Sequence, residues 1–163
     1  KSSGTPVARH FGSDYPFGHG LSYTRFAYDD LALESDSVDI DTGEIRLSLT
    51  LHNVGERTGV EVVQLYVRDR FASLVRPIKE LKGFGRVRLE PGQGARVDFA
   101  LPTDMLNFTG SAGVRIVEPG TFDLMVGASS GDIRLRSTVE VTGEVRRLGR
   151  EWRMESRCDS RSP

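Results

Sequence analysis

The side chains able to do chemistry in this 163-residue chain are three histidines, one cysteine and 23 acidic residues. His10 could serve as a metal ligand or a general base. No second metal-type residue stands at a useful spacing, however, and it reads as an exposed loop histidine. His19 lies between Gly18 and Gly20 in a turn-rich stretch, where a hydrogen-bonding structural role is expected. His52 closes an alternating run and belongs at its solvated end. Cys158 has no partner for an internal disulfide and no nearby His or second Cys to activate it, so it reads as an inert thiol in a mobile tail. The acids fall in turns or at polar strand positions, where solvation accounts for them. Gly83-Phe84-Gly85 is not a phosphate loop, because a strand-like run rather than a helix follows it. Asn107-Phe108-Thr109 satisfies a glycosylation sequon and is read as a chance match. Tyr66 is the single aromatic at an expected outward strand position, too little for a sugar-stacking platform. No catalytic residue, metal site or cofactor is expected.

The elements that would position these residues are strands. Basic and acidic residues nearly cancel, 22 against 23, which gives no electrostatic pull towards nucleic acid or an anionic membrane. No apolar run approaches the roughly 20 residues that span a bilayer. From Phe26 onward apolar residues recur with period two, the mark of half-buried strands. Ile45, Leu47, Leu49 and Leu51 alternate with Arg46, Ser48 and Thr50. Val63, Leu65 and Val67 oppose Gln64, Tyr66 and Arg68. Val97, Phe99 and Leu101 follow, then Phe122-Leu124-Val126 and Ile133 to Val141. Turn signals separate them at Asp41-Thr42-Gly43, Asn53 to Glu56, Pro91-Gly92, Pro119-Gly120 and Ser129 to Asp132. An irregularity is expected around Asp29-Asp30, and Pro102 to Leu106 could hold one helical turn. About seven short strands without a long helix predict an all-β fold, an antiparallel two-sheet sandwich. The Arg-rich stretch from Glu144 to Pro163 loses the alternation. Trp152 is its one large anchor, and its last ten or so residues are expected to fray.

Ahead of the first strand, Tyr15-Pro16-Phe17-Gly18-His19-Gly20-Leu21-Ser22-Tyr23-Thr24-Arg25-Phe26 reads as a rigid corner. Pro16 fixes its own φ and extends Tyr15, while Gly18 and Gly20 permit angles or approaches that a Cβ forbids. This string resembles the segment that leads into the C-terminal fibronectin-type-III-like domain of family 3 glycoside hydrolases. Arg76-Pro77-Ile78-Lys79-Glu80-Leu81-Lys82-Gly83-Phe84, then Leu89 to Gly92, and Val117 to Gly127 carry the same resemblance in the same order.

The resemblance implies a fibronectin-type-III/immunoglobulin-like sandwich over residues 26–143. Residues 1–25 would be a connector from a preceding α/β domain, Lys1 to Pro6 resembling one of its loops, and 144–163 a C-terminal extension. It further implies a parent β-glucosidase, or a β-xylosidase, that retains anomeric configuration and needs no cofactor. Its partners would be the N-terminal catalytic domains and a β-glucoside or oligosaccharide, with no nucleic acid and no membrane span; a periplasmic or secreted location is favoured, a cytoplasmic one possible. Such hydrolysis uses two flanking carboxyl groups. In the family these come from an N-terminal barrel and the domain after it, and neither motif matches any stretch here. The implied role of this segment is to brace those domains, with Tyr15, Phe17, Tyr23, Arg76 and Pro77 as the expected contacts. A free-standing module that binds polysaccharide or a cell surface is the other reading.

Overall fold

The computed structural model describes residues 14–71, 73–74 and 77–161. Twelve strands follow one another among them: β1 (Phe26–Leu33), β2 (Ser37–Asp39), β3 (Glu44–Asn53), β4 (Gly59–Asp69), β5 (Glu80–Leu89), β6 (Gly94–Pro102), β7 (Phe108–Thr109), β8 (Arg115–Val117), β9 (Gly120–Ser129), β10 (Asp132–Thr142), β11 (Arg146–Arg147) and β12 (Arg157–Arg161). Seven of these, β1, β3, β4, β5, β6, β9 and β10, have eight or more residues. Six of them are the alternating runs legible in the sequence, and β5 is the less regular run of Leu81, Phe84, Val87 and Leu89. One sheet has the order β1-β3-β6-β12 and the other β2-β10-β9-β4-β5, with a small β11-β8-β7 sheet beside them. Pairing is antiparallel except between β2 and β10.

The core lies between the two large sheets. In the first, Ile45, Leu47, Leu49 and Leu51 stand opposite Leu101, Phe99, Val97 and Ala95, so one dry face is built from matched cross-strand pairs. In the second, Leu65 faces Val126, Val67 faces Leu124, and Val139 faces Phe122. At about 25 cal/mol per Å² of apolar surface, the facing of these two layers is the main source of stability. Asp30, at φ 55, sits where the register of β1 slips against β3, the irregularity expected there. Thr103–Leu106 forms one 3₁₀ turn after Pro102.

Three expectations are corrected. The C-terminus does not fray within the described residues: Arg157–Arg161 pairs with β6 from Ala100 to Arg96. Cys158 is therefore no tail thiol. It packs on the face of Gly85 in β5, and burial, then the Asp159 and Asp98 carboxylates, push its thiol up to about 11. Tyr66 does not face solvent either; it is 1% exposed.

Candidate functional site

Tyr66 and Gln64 point to the outer face of the second sheet, and the segment before β1 covers them. Tyr66 donates through its hydroxyl to Gln64 Oε1 at 2.5 Å and reaches the Phe17 carbonyl at 3.4 Å. Gln64 Nε2 donates to the carbonyls of Gly18 at 3.0 Å and Ala128 at 2.6 Å. The Ser130 amide donates to the Phe17 carbonyl at 2.9 Å. Lys79 Nζ donates to the Ser130 carbonyl, which brings the loop before β5 to the same spot. Gly18 has φ +78, and a Cβ there would strike Gln64 Oε1 and the Tyr66 hydroxyl. Gly20 meets nothing within 4 Å, so the need for glycine holds at Gly18 alone.

The far end of this segment is pinned by Asn53, which is fully buried. Its Oδ1 accepts from Thr24 Oγ1 at 2.7 Å and the Gly55 amide at 3.1 Å, while Nδ2 donates to the carbonyls of Arg57 at 2.7 Å and Leu89 at 3.0 Å. Residues 14–25 thus form a strap held at Phe17–Gly18 and again at Thr24. Its backbone is tied down while its large side chains point away: Phe17 is 67% exposed and Tyr23 92%. Tyr15 is likewise exposed and stacks on His19, ring centres 5.0 Å apart. Pro77 is exposed in the loop that Lys79 ties to Ser130. Arg76, His10 and Lys1–Pro6 lie outside the described residues.

Under the strap lies a cleft of about 710 Å³. At one side of it Tyr28 donates its hydroxyl to Glu61 Oε1 at 2.7 Å. Burial first, then the Glu61 carboxylate, push the Tyr28 hydroxyl far above its ordinary value. Burial raises Glu61 too, against the opposing Tyr28 hydrogen bond and Arg134 charge. Arg134 holds Asp132 through two bonds of 2.5 and 2.7 Å, which lower that carboxyl, and its guanidinium lies 5.9 Å from the centre of the Tyr28 ring. The Glu61–Tyr28 and Asp132–Arg134 pairs were not singled out in the sequence, because both belong to strand positions of ordinary polarity. Among the described residues no group of three His, Cys, Asp or Glu is placed to hold a metal ion. The Asn107 amide of the sequon is turned inward, donating to the Asp104 carbonyl at 2.5 Å and accepting from Arg115 at 2.7 Å.

The family model described as "Fibronectin type III-like domain" matches residues 61–130. A putative β-xylosidase of Formosa agariphila is 42% identical over 123 residues, 76% of this chain and 16% of that protein. Thermostable β-glucosidase B of Acetivibrio thermocellus is 42% identical over 134 residues, 81% of this chain and 18% of that protein. Among solved structures, β-glucosidase 3B from Thermotoga neapolitana in complex with glucose has a TM-score of 0.74 at 37% identity, over 83% of this chain and 18% of that one. The chain therefore spans 16–18% of the length of these relatives. With the sandwich and these likenesses taken together, residues 61–130 are a fibronectin type III-like domain, and the chain is similar to the segment that β-glucosidases and β-xylosidases carry around it.

Proposed function

We propose that this chain is the accessory domain of a longer family 3 enzyme that hydrolyses terminal β-linked glucose with retention, and that its own work is to brace the catalytic domains. In this reading residues 1–25 are the connector, 26–143 carry most of the sandwich, and the extension from 144 returns to it, its β12 pairing with β6 in the first sheet. The observation that carries the reading is the strap. Its backbone is fixed to the sandwich, yet Tyr15, Phe17 and Tyr23 are offered to solvent. Burying one such ring typically contributes roughly 1.5–3 kcal/mol, so a face that exposes all three is one built to be covered. Pro77 lies in the loop tied to the same turn, and Arg76 precedes it. The β-xylosidases among the relatives favour a second reading of the parent, hydrolysis of β-linked xylose.

Two measurements test this. The purified 163-residue chain, incubated with an aryl β-glucoside or β-xyloside, is expected to release no more phenol than buffer does. In the complete enzyme, Phe17→Ala is expected to lower the melting temperature by several degrees, with kcat on the same substrate retained. Turnover by the chain alone, or an unchanged melting temperature, would sink the bracing role.

A further inference from the structure

The second sheet is split. β4 pairs with β5 along Gly59–Val67, but with β9 only from Gln64 to Asp69. Past Gly127 the β9–β10 hairpin turns away, its register slipping at Asp132 and Ile133, and Gln64 bridges the fork through its bond to Ala128. Among the described residues, the stretch Val60–Val63 is left as an open strand edge. Alternate residues of that edge turn backbone N–H and C=O groups towards the cleft, where they have no sheet partner among the described residues. Apolar side chains border it: Val60 and Val62 are each 38% exposed, Phe84 62% and Leu21, on the strap above, 93%.

We propose that this cleft is the seat of an extended, apolar segment from the rest of the same polypeptide, which pairs with the Val60–Val63 edge and packs against Val62 and Phe84. The inference rests on the reading above that the chain is one domain of a longer enzyme. Two observations select this occupant over a sugar. First, the polar side chains on the strand floor of the cleft are spent on one another, as Tyr28 with Glu61, Arg134 with Asp132, and Gln64 with Tyr66, Gly18 and Ala128. On that floor a saccharide would find few directional partners, whereas an added strand needs only backbone groups and apolar surface. Second, the relatives carry more than four fifths of their length outside the region matched here, and the strap at residues 14–25 roofs the cleft.

Amide hydrogen exchange in the 163-residue chain and in the complete enzyme reads this directly. The cleft-facing amides of Val60–Val63 are expected to exchange about tenfold or more slowly in the complete enzyme than in the chain alone. Val62→Lys, at a position already part-exposed, is expected to leave unfolding of the isolated chain unchanged and to abolish that added protection. If the strap around Phe17 gains protection while Val60–Val63 does not, the cleft is not a seat and the bracing reading stands. If neither gains protection, both fail. Protection of Val60–Val63 in the isolated chain on adding cellotriose would overturn the peptide occupant in favour of a saccharide.

Discussion

At the scale of single residues, the chain separates polar groups that are spent from one that is strained. Asn53 is the spent kind: buried, it satisfies both amide hydrogens and uses its oxygen twice, joining the end of β3 to the strap and to β5. Glu61 is the strained kind. Burial raises its carboxyl above the ordinary value, with the Tyr28 hydrogen bond and Arg134 only partly offsetting that. A carboxyl raised in the folded state binds its proton more tightly there than in the unfolded chain. Stability therefore falls as pH rises from the unfolded value through the folded one, and the ionised form costs stability at neutral pH. Glu61→Gln keeps an oxygen to accept from Tyr28 and removes the charge. It is expected to raise the urea midpoint of the isolated chain at pH 7, with the difference from wild type shrinking as pH falls to about 4, near the unfolded carboxylate range. A midpoint that drops at pH 7 would mean that Arg134 already compensates the charge.

At the scale of elements, β12 shows where sequence periodicity stops being informative. The long strands were legible because Leu or Val at every second position has one explanation, a half-buried strand. Arg157-Cys158-Asp159-Ser160-Arg161 offers no such signal: Cys158 is its one half-buried position, small and not strongly apolar, and the rest of the strand is exposed. What makes room for this strand is on a distant one: Gly83 lies against Phe99 and Ser156, and Gly85 against Cys158. Tyr66 was misplaced for a related reason. Period two states that it faces away from Leu65, and cannot state that a strap covers the outer face. Gly85 gives the test. A Cβ there would overlap the Cys158 sulfur, so Gly85→Ala is expected to destabilise by about 1–3 kcal/mol through overpacking. Cys158→Ala removes the sulfur and should restore much of that loss in the double variant. Additive effects in a denaturant-monitored mutant cycle would show that β12 does not rest on β5.

At the scale of the whole molecule, the extension after Thr142 is stitched to the sandwich at both ends, by β11 against β8 and by β12 against β6. Between them one buried carboxylate does the joining. Asp104, on the 3₁₀ turn, lies 3.0 Å from Arg146 Nε, an ion pair off the hydrogen-bond line, and its Oδ2 accepts from the Arg153 amide at 2.8 Å. Arg146 also donates to the Asp41 carbonyl at 2.8 Å, and Arg115 lies 5.1 Å from the centre of the Trp152 ring. Arg146 keeps the Asp41 carboxylate at 3.1 Å when Asp104 is lost, so the loss falls mainly on the Arg153 amide, left without its acceptor, at about 1–3 kcal/mol against a total of roughly 5–15 for a domain. Asp104→Ala is therefore expected to lower the stability of the entire sandwich in a single cooperative transition, followed by circular dichroism and by Trp152 fluorescence. If Trp152 fluorescence changes at a lower denaturant concentration than the strand signal in Asp104→Ala, the extension is a separable appendage. If both signals move together, residues 144–161 are part of the folding unit and the sandwich closes only when they are in place.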